Sequence, residues 1–365
     1  MQIIHLVANK TWGGGEQYVY DLIESLKKEQ WCSTSVICKN YQAVTEKLAS
    51  LDVPLCHLKL NGYMDIKSII ALSKILKKQN EDTVIHTHDF KRAFIAIAAR
   101  KLSGKKNIRV IMTRHLVRKA KKSFFENIVY KNIDKIIFVS QIAKDTCLSS
   151  SPNIDQAKCC VIHNGIKDKI CDTKYLRNKY MIPNDTFVIM YHGRIAKEKG
   201  IEVIVDTLVN IKDKFDWRMV FVGDDTTQYA NDIKTAIKNN GLQDKVIWTG
   251  WETNVYKYIG GCDCALLPSI VPEALGLSNV EYMMAGKTVI TTDNGAQPEY
   301  IKNNETGILV PVSNPDKIAE NICNLYETQK YKEIGSKARQ YYEQKLNYDN
   351  FINKIIQIYQ DKKYQ

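Results

Sequence analysis

Gln2-Ile3-Ile4-His5-Leu6-Val7, then Gly13-Gly14-Gly15-Glu16, then residues 15–28 with Tyr18, Val19, Leu22, Ile23 and Leu26 on one face: this succession decides the fold. The first run is short and apolar and lacks a basic flank, so it reads as a strand rather than a signal peptide. The glycines make a turn, and the 3.6-residue spacing that follows is that of an amphipathic helix.

The same unit recurs along the chain. Further strand-like runs stand at 34–38, 54–60, 83–86, 109–113, 135–139 and 160–163, with helix-like stretches between them. After Asn164-Gly165 the pattern restarts, with strand-like runs at 186–191, 218–222, 245–248, 264–267, 288–291 and 307–310. Strands alternating with helices imply parallel sheets covered on both faces. The expected class is therefore α/β, with two doubly wound, Rossmann-like domains facing across a cleft. The expected division is an N-terminal acceptor domain at 1–166, a linker at 167–184, a C-terminal donor domain at 185–347 and an amphipathic helix at 348–365 that packs back on the first domain. In such sheets ligands bind at the carboxyl ends of the strands.

Composition narrows the chemistry. The chain has 365 residues, enough for two cores, and a formal charge of +12, which favours anionic partners. Ten cysteines are scattered without paired metal-site spacing, which suits buried thiols in a reducing compartment, so a cytosolic location is expected. No apolar run approaches the roughly 18 residues of a membrane span. No nucleic-acid module is present, and charge alone does not make one.

Between Pro272 and Gly286, two carboxylates bracket a helix start opened by Gly276-Leu277-Ser278. Free N–H groups and the positive end of the helix dipole suit a phosphate there, while Glu273 and Glu281 suit sugar hydroxyls on either side. A sugar–diphosphate–nucleoside has that layout; an ordinary helix with two solvated glutamates has the same sequence. Tyr191-His192-Gly193-Arg194 closes the first strand of the second half, and Lys197-Glu198-Lys199-Gly200 follows. Gly193 permits a tight turn, and Arg194 and Lys199 then form a pair of fixed cations for a diphosphate, or else a solvated basic loop.

Together these segments resemble the retaining glycosyltransferases of family 4, which have two Rossmann-like domains in the GT-B arrangement. The resemblance covers nearly the whole chain. It is carried by Gly193-Arg194 with Glu198-Lys199-Gly200, Pro268-Ser269 with Glu273 and Glu281, Gly286-Lys287-Thr288-Val289-Ile290, Asn294-Gly295 with Glu299-Tyr300-Ile301, and Thr306-Gly307-Ile308-Leu309-Val310. In the first half, Gly13-Gly14-Gly15-Glu16, His86-Thr87-His88 and Val161-Ile162-His163-Asn164-Gly165-Ile166 add to it. Two departures stand out: Lys167 occupies a usually acidic position, and Gly223-Asp224-Asp225-Thr226 lacks the usual second glycine.

The resemblance implies roles. Arg194 and Lys199 would hold the donor diphosphate, and Glu281 the ribose hydroxyls. Glu273, with backbone N–H groups around Gly276 and Leu277, would grip the donor sugar and distal phosphate. Gly14 and Gly15, in the loop opened by Gly13, would let backbone from the first domain approach the donor across the cleft, Gly193 would also bind the donor, and His115 would reach the transferred sugar or the acceptor. His86 reads more simply as a satisfied core histidine, and Trp251 as either a base contact or an ordinary tryptophan. No metal or other cofactor is expected, because two cations and a helix dipole already face the leaving group.

Arg118, Lys119, Lys121 and Lys122 with Phe124 and Phe125 form the most basic segment with interleaved aromatics. As a helix it would suit an anionic membrane face; alternatively Phe124, Phe125 and Ile128 pack inward and the lysines are solvated. The expected partners are thus a nucleotide-sugar donor, a glycan or lipid-linked acceptor and the inner face of the cell membrane, with no nucleic acid. The expected reaction is transfer of a hexose-type sugar, UDP favoured as carrier, in cell-surface polysaccharide or lipopolysaccharide synthesis. An epimerase or phosphorylase on the same fold, or a non-catalytic nucleotide- or membrane-binding scaffold, are the competing readings.

Overall fold

The computed structural model describes residues 1–150 and 153–361. Two compact units emerge: Met1–Asn164 together with the segment from Phe351 onward, and Gly165–Asn350. Each is built on one sheet. The strands are β1 Gln2–Val7, β2 Ser33–Cys38, β3 Leu55–His57, β4 Thr83–Thr87, β5 Ile108–Arg114, β6 Lys135–Phe138 and β7 Cys159–Val161 in the first unit. In the second they are β8 Phe187–His192, β9 Trp217–Val222, β10 Val246–Trp248, β11 Cys264–Leu267, β12 Thr288–Thr292 and β13 Ile308–Val310.

The orders are β3-β2-β1-β4-β5-β6-β7 and β10-β9-β8-β11-β12-β13, with every pairing parallel. Parallel strands buried on both faces need continuous apolar runs, and β8 shows one: all six of its residues are buried. Strand order reverses between β1 and β4 in one sheet and between β8 and β11 in the other. At such a switch point the loops leave on opposite faces and open a crevice. The sites described below sit at these two points.

The sequence expectations meet the structure differently along the chain. The helix expected at 15–28 runs Gly14–Leu26, and the strand expected at 54–60 shrinks to three residues. Segment 167–184, expected as a linker, is packed into the second unit: Leu176, on the helix Tyr175–Lys179, and Ile182 belong to its core. Asp168 pairs with Arg339 in the same unit. The last helix is Tyr348–Gln360, and residues 362–365 lie outside the described residues. From Phe351 onward it belongs to the first unit. Buried Tyr359 reaches His86 Nδ1 at 2.6 Å, and Arg109 donates to the carbonyls of Ile358 and Asp361. A cation on the closing carbonyls satisfies acceptors the helix cannot.

The basic segment is not a helix. Ser123 Oγ accepts the Glu126 N–H at 3.2 Å, an N-cap that starts the helix at Phe124 and carries it to Asn132. Such a cap stabilises a helix by about 1 kcal/mol. Arg118, Lys119, Lys121 and Lys122 therefore lie exposed in the loop before it. Nor do all three apolar residues turn inward: Phe124 is 74% exposed, whereas Phe125 stacks on Tyr63.

Candidate active site

In the second unit the site is assembled by two close backbone approaches. Gly200 ends the turn Lys197–Lys199 at φ +70°, and a Cβ there would lie 2.0 Å from the Pro268 carbonyl oxygen. Ile270 N–H also bonds to Glu198 O at 3.0 Å, which fixes the loop after β8 against the loop after β11. Lys199 is thereby brought to Glu273, its Nζ 2.5 Å from Oε1. Ser269 Oγ donates to that same oxygen, also at 2.5 Å. Behind Glu273 lies Gly295, whose added Cβ would stand 2.5 Å from Glu273 N, and Ala296 N–H bonds to Glu273 O.

The helix Leu277–Met284 starts beyond Glu273. Gly276 precedes it at φ +80°, where a side chain would be strained. Asn279 Nδ2 donates to Tyr300 Oη, and Tyr300 Oη donates to Leu275 O, bracing this start from beneath. One turn in, Glu281 is held at both oxygens: His192 Nε2 lies 2.6 Å from Oε2, and Tyr256 donates to Oε1 at 3.0 Å. Buried His192 has no partner at Nδ1 among the described residues.

Two depressions meet at the end of β8. One, about 190 Å³, is lined by Gly193, Arg194, Lys199, Glu273, Gly276 and Leu277, among others. The other, about 510 Å³, runs past Gly223, Asp224, Trp251 and Glu281. His192, Gly193 and Arg194 line both. Arg194 is largely exposed and pairs with Glu198 at 3.1 Å, a surface contact that adds little stability and leaves the guanidinium free to move to a ligand. Cations and a helix N-terminus thus surround the small hollow, and carboxylates flank it. That arrangement can hold a diphosphate with hydroxyl-rich groups to either side.

The first unit carries a larger cavity, about 750 Å³, at the ends of β1, β4 and β5. Gly15, Glu16, His88, Arg114, His115, Arg118, Lys119 and Lys121 line it; Phe124 and Lys122 do not. His115 Nε2 and His88 Nδ1 lie 3.3 Å apart, and His115 packs edge-on to Tyr18. Burial lowers His115 to about 4 and His5 to about 3, and holds His86 and His88 well below the usual imidazole range. All four are neutral near pH 7. His86 is a satisfied core residue, bonded to Thr113 and Tyr359. His5, His86 and His88 bring nitrogens within 4.8 Å of one another, yet both of those on His86 are already engaged. The trio is therefore a poor metal ligand set.

The sites expected from sequence fall on two units. Arg194, Lys199, Glu273, Glu281, Gly193, Gly276 and Leu277 come together in the second; Gly14, Gly15 and His115 stand around the β1 and β5 ends of the first. Sequence reasoning missed Ser269, Tyr256, Arg114 and the role of His192 as the partner of Glu281. The signal for His192 was present, since a histidine ends an otherwise apolar buried strand. Tyr256 carried none.

Both halves of the chain match known families. The model described as Glycosyltransferase Family 4 matches residues 12–169, and that described as Glycosyl transferases group 1 matches residues 172–344. An uncharacterised 41.2 kDa protein in the cps region of Klebsiella pneumoniae is 25% identical over 98% of this chain and 99% of its own. The UDP-Gal:alpha-D-GlcNAc-diphosphoundecaprenol alpha-1,3-galactosyltransferase of Escherichia coli is 23% identical, over 99% of this chain and 97% of its own. A glycosyltransferase crystal structure from Rickettsia africae ESF-5 aligns with TM-score 0.87 and 26% identity, covering 98% of this chain and 97% of that one. With one family matched on each sheet and the fold shared along its length, the chain belongs to the family 4 glycosyltransferases of GT-B type.

Proposed function

We propose that this glycosyltransferase moves a hexose-type sugar, with retention of anomeric configuration, from a UDP-linked donor to a glycan or lipid-linked acceptor. The product would serve cell-surface polysaccharide or lipopolysaccharide synthesis. The observation that carries the reading is the Lys199–Glu273 contact at the mouth of the Gly276-opened helix, with Glu281 fixed one turn further in. A diphosphate there draws Lys199 and Arg194 to its oxygens, while Glu273 is left to accept from the sugar and Glu281 from the ribose. Cleaving the anomeric carbon–oxygen bond puts charge on the departing nucleotide. Groups that meet that charge more strongly in the transition state lower the barrier. Lys199, Arg194 and the helix N-terminus supply this without a resident metal.

The relatives support the donor and the pathway. The Escherichia coli enzyme is named for a UDP-linked donor and a diphosphate-lipid acceptor, and the Klebsiella protein for the cps region. The first-unit cavity would take the acceptor, with His115 beside the transferred sugar. Gly15 fits this picture, because apart from its chain neighbours and its own helix backbone nothing lies within 4 Å of a Cβ built there; its small size would serve an incoming ligand. No helix among the described residues is long and apolar enough to cross a membrane. Contact with an anionic face would come from Arg118, Lys119, Lys121, Lys122 and exposed Phe124.

Transfer from UDP-glucose and UDP-galactose to lipid-linked acceptors, with donor hydrolysis measured in parallel, tests the assignment. Glu281→Ala and Lys199→Ala are each expected to lower both reactions by about 10²-fold or more in a folded protein; full activity in both would overturn it. A thermal-shift comparison of UDP-, GDP- and ADP-linked sugars identifies the carrier. A ligand at 100 times its Kd stabilises by about 2.7 kcal/mol.

A further inference from the structure

We infer that the first-unit cavity is a subsite for the phosphate of an amphiphilic acceptor, with Arg114 as its anchor and the Tyr63–Phe125 wall as the bed for an apolar chain. The inference rests on the reading of this cavity as the acceptor site and names the chemistry that site takes.

Arg114 ends β5, is only 8% exposed, and forms no ion pair among the described residues. Its guanidinium lies over the Phe90 ring, 5.0 Å from the centroid, and Nη2 donates to Arg118 O. Nε is buried and has no partner among the described residues. Arginine cannot shed its charge in a protein, and an unpaired buried charge is costly. An anion entering the cavity supplies the missing partner. Arg92, on the same wall, also has a buried Nε without a partner, although its head pairs with Asp89.

The charge balance points the same way. Six cationic side chains line the cavity against three carboxylates, each of which already accepts a bond at one oxygen. Asp89 takes Arg92; Glu16 takes Asn9; Glu126 takes the Lys121 N–H and Tyr130. Arg118, Lys119 and Lys121 carry no ion pair among the described residues. The rest of the wall is mostly apolar. Tyr63 and Phe125 stack at 4.8 Å and 6°, Leu116 on the rim is 63% exposed, and Phe124 stands next to Phe125. A bare phosphate would have no use for these surfaces, and a neutral glycan would have none for an unpaired buried guanidinium.

Geranyl diphosphate is a suitable probe, with inorganic pyrophosphate and geraniol as its two halves. Calorimetric titrations run with saturating UDP keep the second-unit site filled. Geranyl diphosphate is expected to bind at least tenfold more tightly than either half. Arg114→Gln should weaken it at least tenfold, Arg114→Lys should restore part of the loss, and UDP affinity should stay unchanged. Should Arg114→Gln fail to fold, the exposed pair Arg118→Ala/Lys119→Ala is expected to weaken binding about fivefold. Unchanged affinity in a folded Arg114→Gln, or in the exposed pair where that variant does not fold, overturns the inference. Pyrophosphate binding as tightly as the geranyl ester overturns the amphiphile and leaves a free-anion site. Failure of UDP to bind speaks against the donor reading of the second unit and leaves the first-unit result standing.

Discussion

The two switch-point hollows are built on opposite principles. In the second unit the ionic groups already have partners: Lys199 with Glu273, Arg194 with Glu198, and Glu281 with His192 and Tyr256. The hollow is small, and two glycines hold its loops so close that a methyl group would not fit. In the first unit the cavity is several times larger and mostly apolar in its walls, and its cations are largely unpaired. A site with internal pairs exchanges one set of charge-assisted bonds for another when a small polar ligand arrives, so little reorganisation is needed. A roomy apolar cavity with unpaired arginine instead waits for charge and bulk together.

That contrast can be broken or sharpened by experiment. The largest effect is expected for Lys199→Ala, which should lower kcat by about 10²- to 10³-fold, the usual loss for one charge-stabilising donor. Single-turnover transfer measures it, and a loss confined to KM would show that Lys199 only binds. Next come the glycines. Gly200→Ala must place a Cβ against a backbone oxygen at positive φ, and should destabilise the second unit by about 3 kcal/mol in denaturant melts. Gly15→Ala meets no atom within 4 Å beyond its chain neighbours and its own helix backbone, so stability should hold or rise by up to about 1 kcal/mol. Its cost should appear in donor or acceptor affinity alone.

A smaller effect is expected from acid. His115 and His5 have pKa values lowered in the folded protein, to about 4 and about 3, while the unfolded chain takes up protons near 6.5. The stability they contribute is complete above pH 6.5 and drains away as pH falls through that window towards 4 and then 3. At pH 5 each of the two histidines should have cost the first unit about 2 kcal/mol, about 4 kcal/mol for the pair, and His5→Leu should flatten the slope. A slope unchanged by His5→Leu would remove that histidine from the argument. The smallest effect belongs to the exposed loop: Lys121→Ala and Lys122→Ala should each weaken binding to anionic vesicles about fivefold, near 1 kcal/mol apiece. Co-sedimentation reads this, and equal binding by wild type and double variant would remove the membrane from the proposal.

Much of this was legible in the chain. All thirteen strand-like runs correspond to strands; central ones such as β8 are buried on both faces and so locally apolar, whereas the edge strands β3 and β10 are not fully buried. The turns that build the second-unit hollow were legible too, since Gly193, Gly200 and Gly276 mark backbone conformations that few other residues adopt. Residues 118–122 misled. Their composition suits a helix, but Ser123 is the better start, and one hydrogen bond accepted by its side chain moves the boundary past Lys119, Lys121 and Lys122. Segment 167–184 misled as well, because the apolar residues that dock it, Leu176 and Ile182, are few and sparse.

The sequence by itself determined the alternation of strand and helix, the restart at Gly165 and the glycine-marked turns, since each depends on near neighbours and local sterics. Only the tertiary structure decided the partners. His192 meets Glu281 across 89 residues, Lys199 meets Glu273 across 74, and Arg114 is left with no carboxylate among the described residues. Charge pairing depends on distance in space, and parallel strand order, which no local pattern encodes, sets those distances.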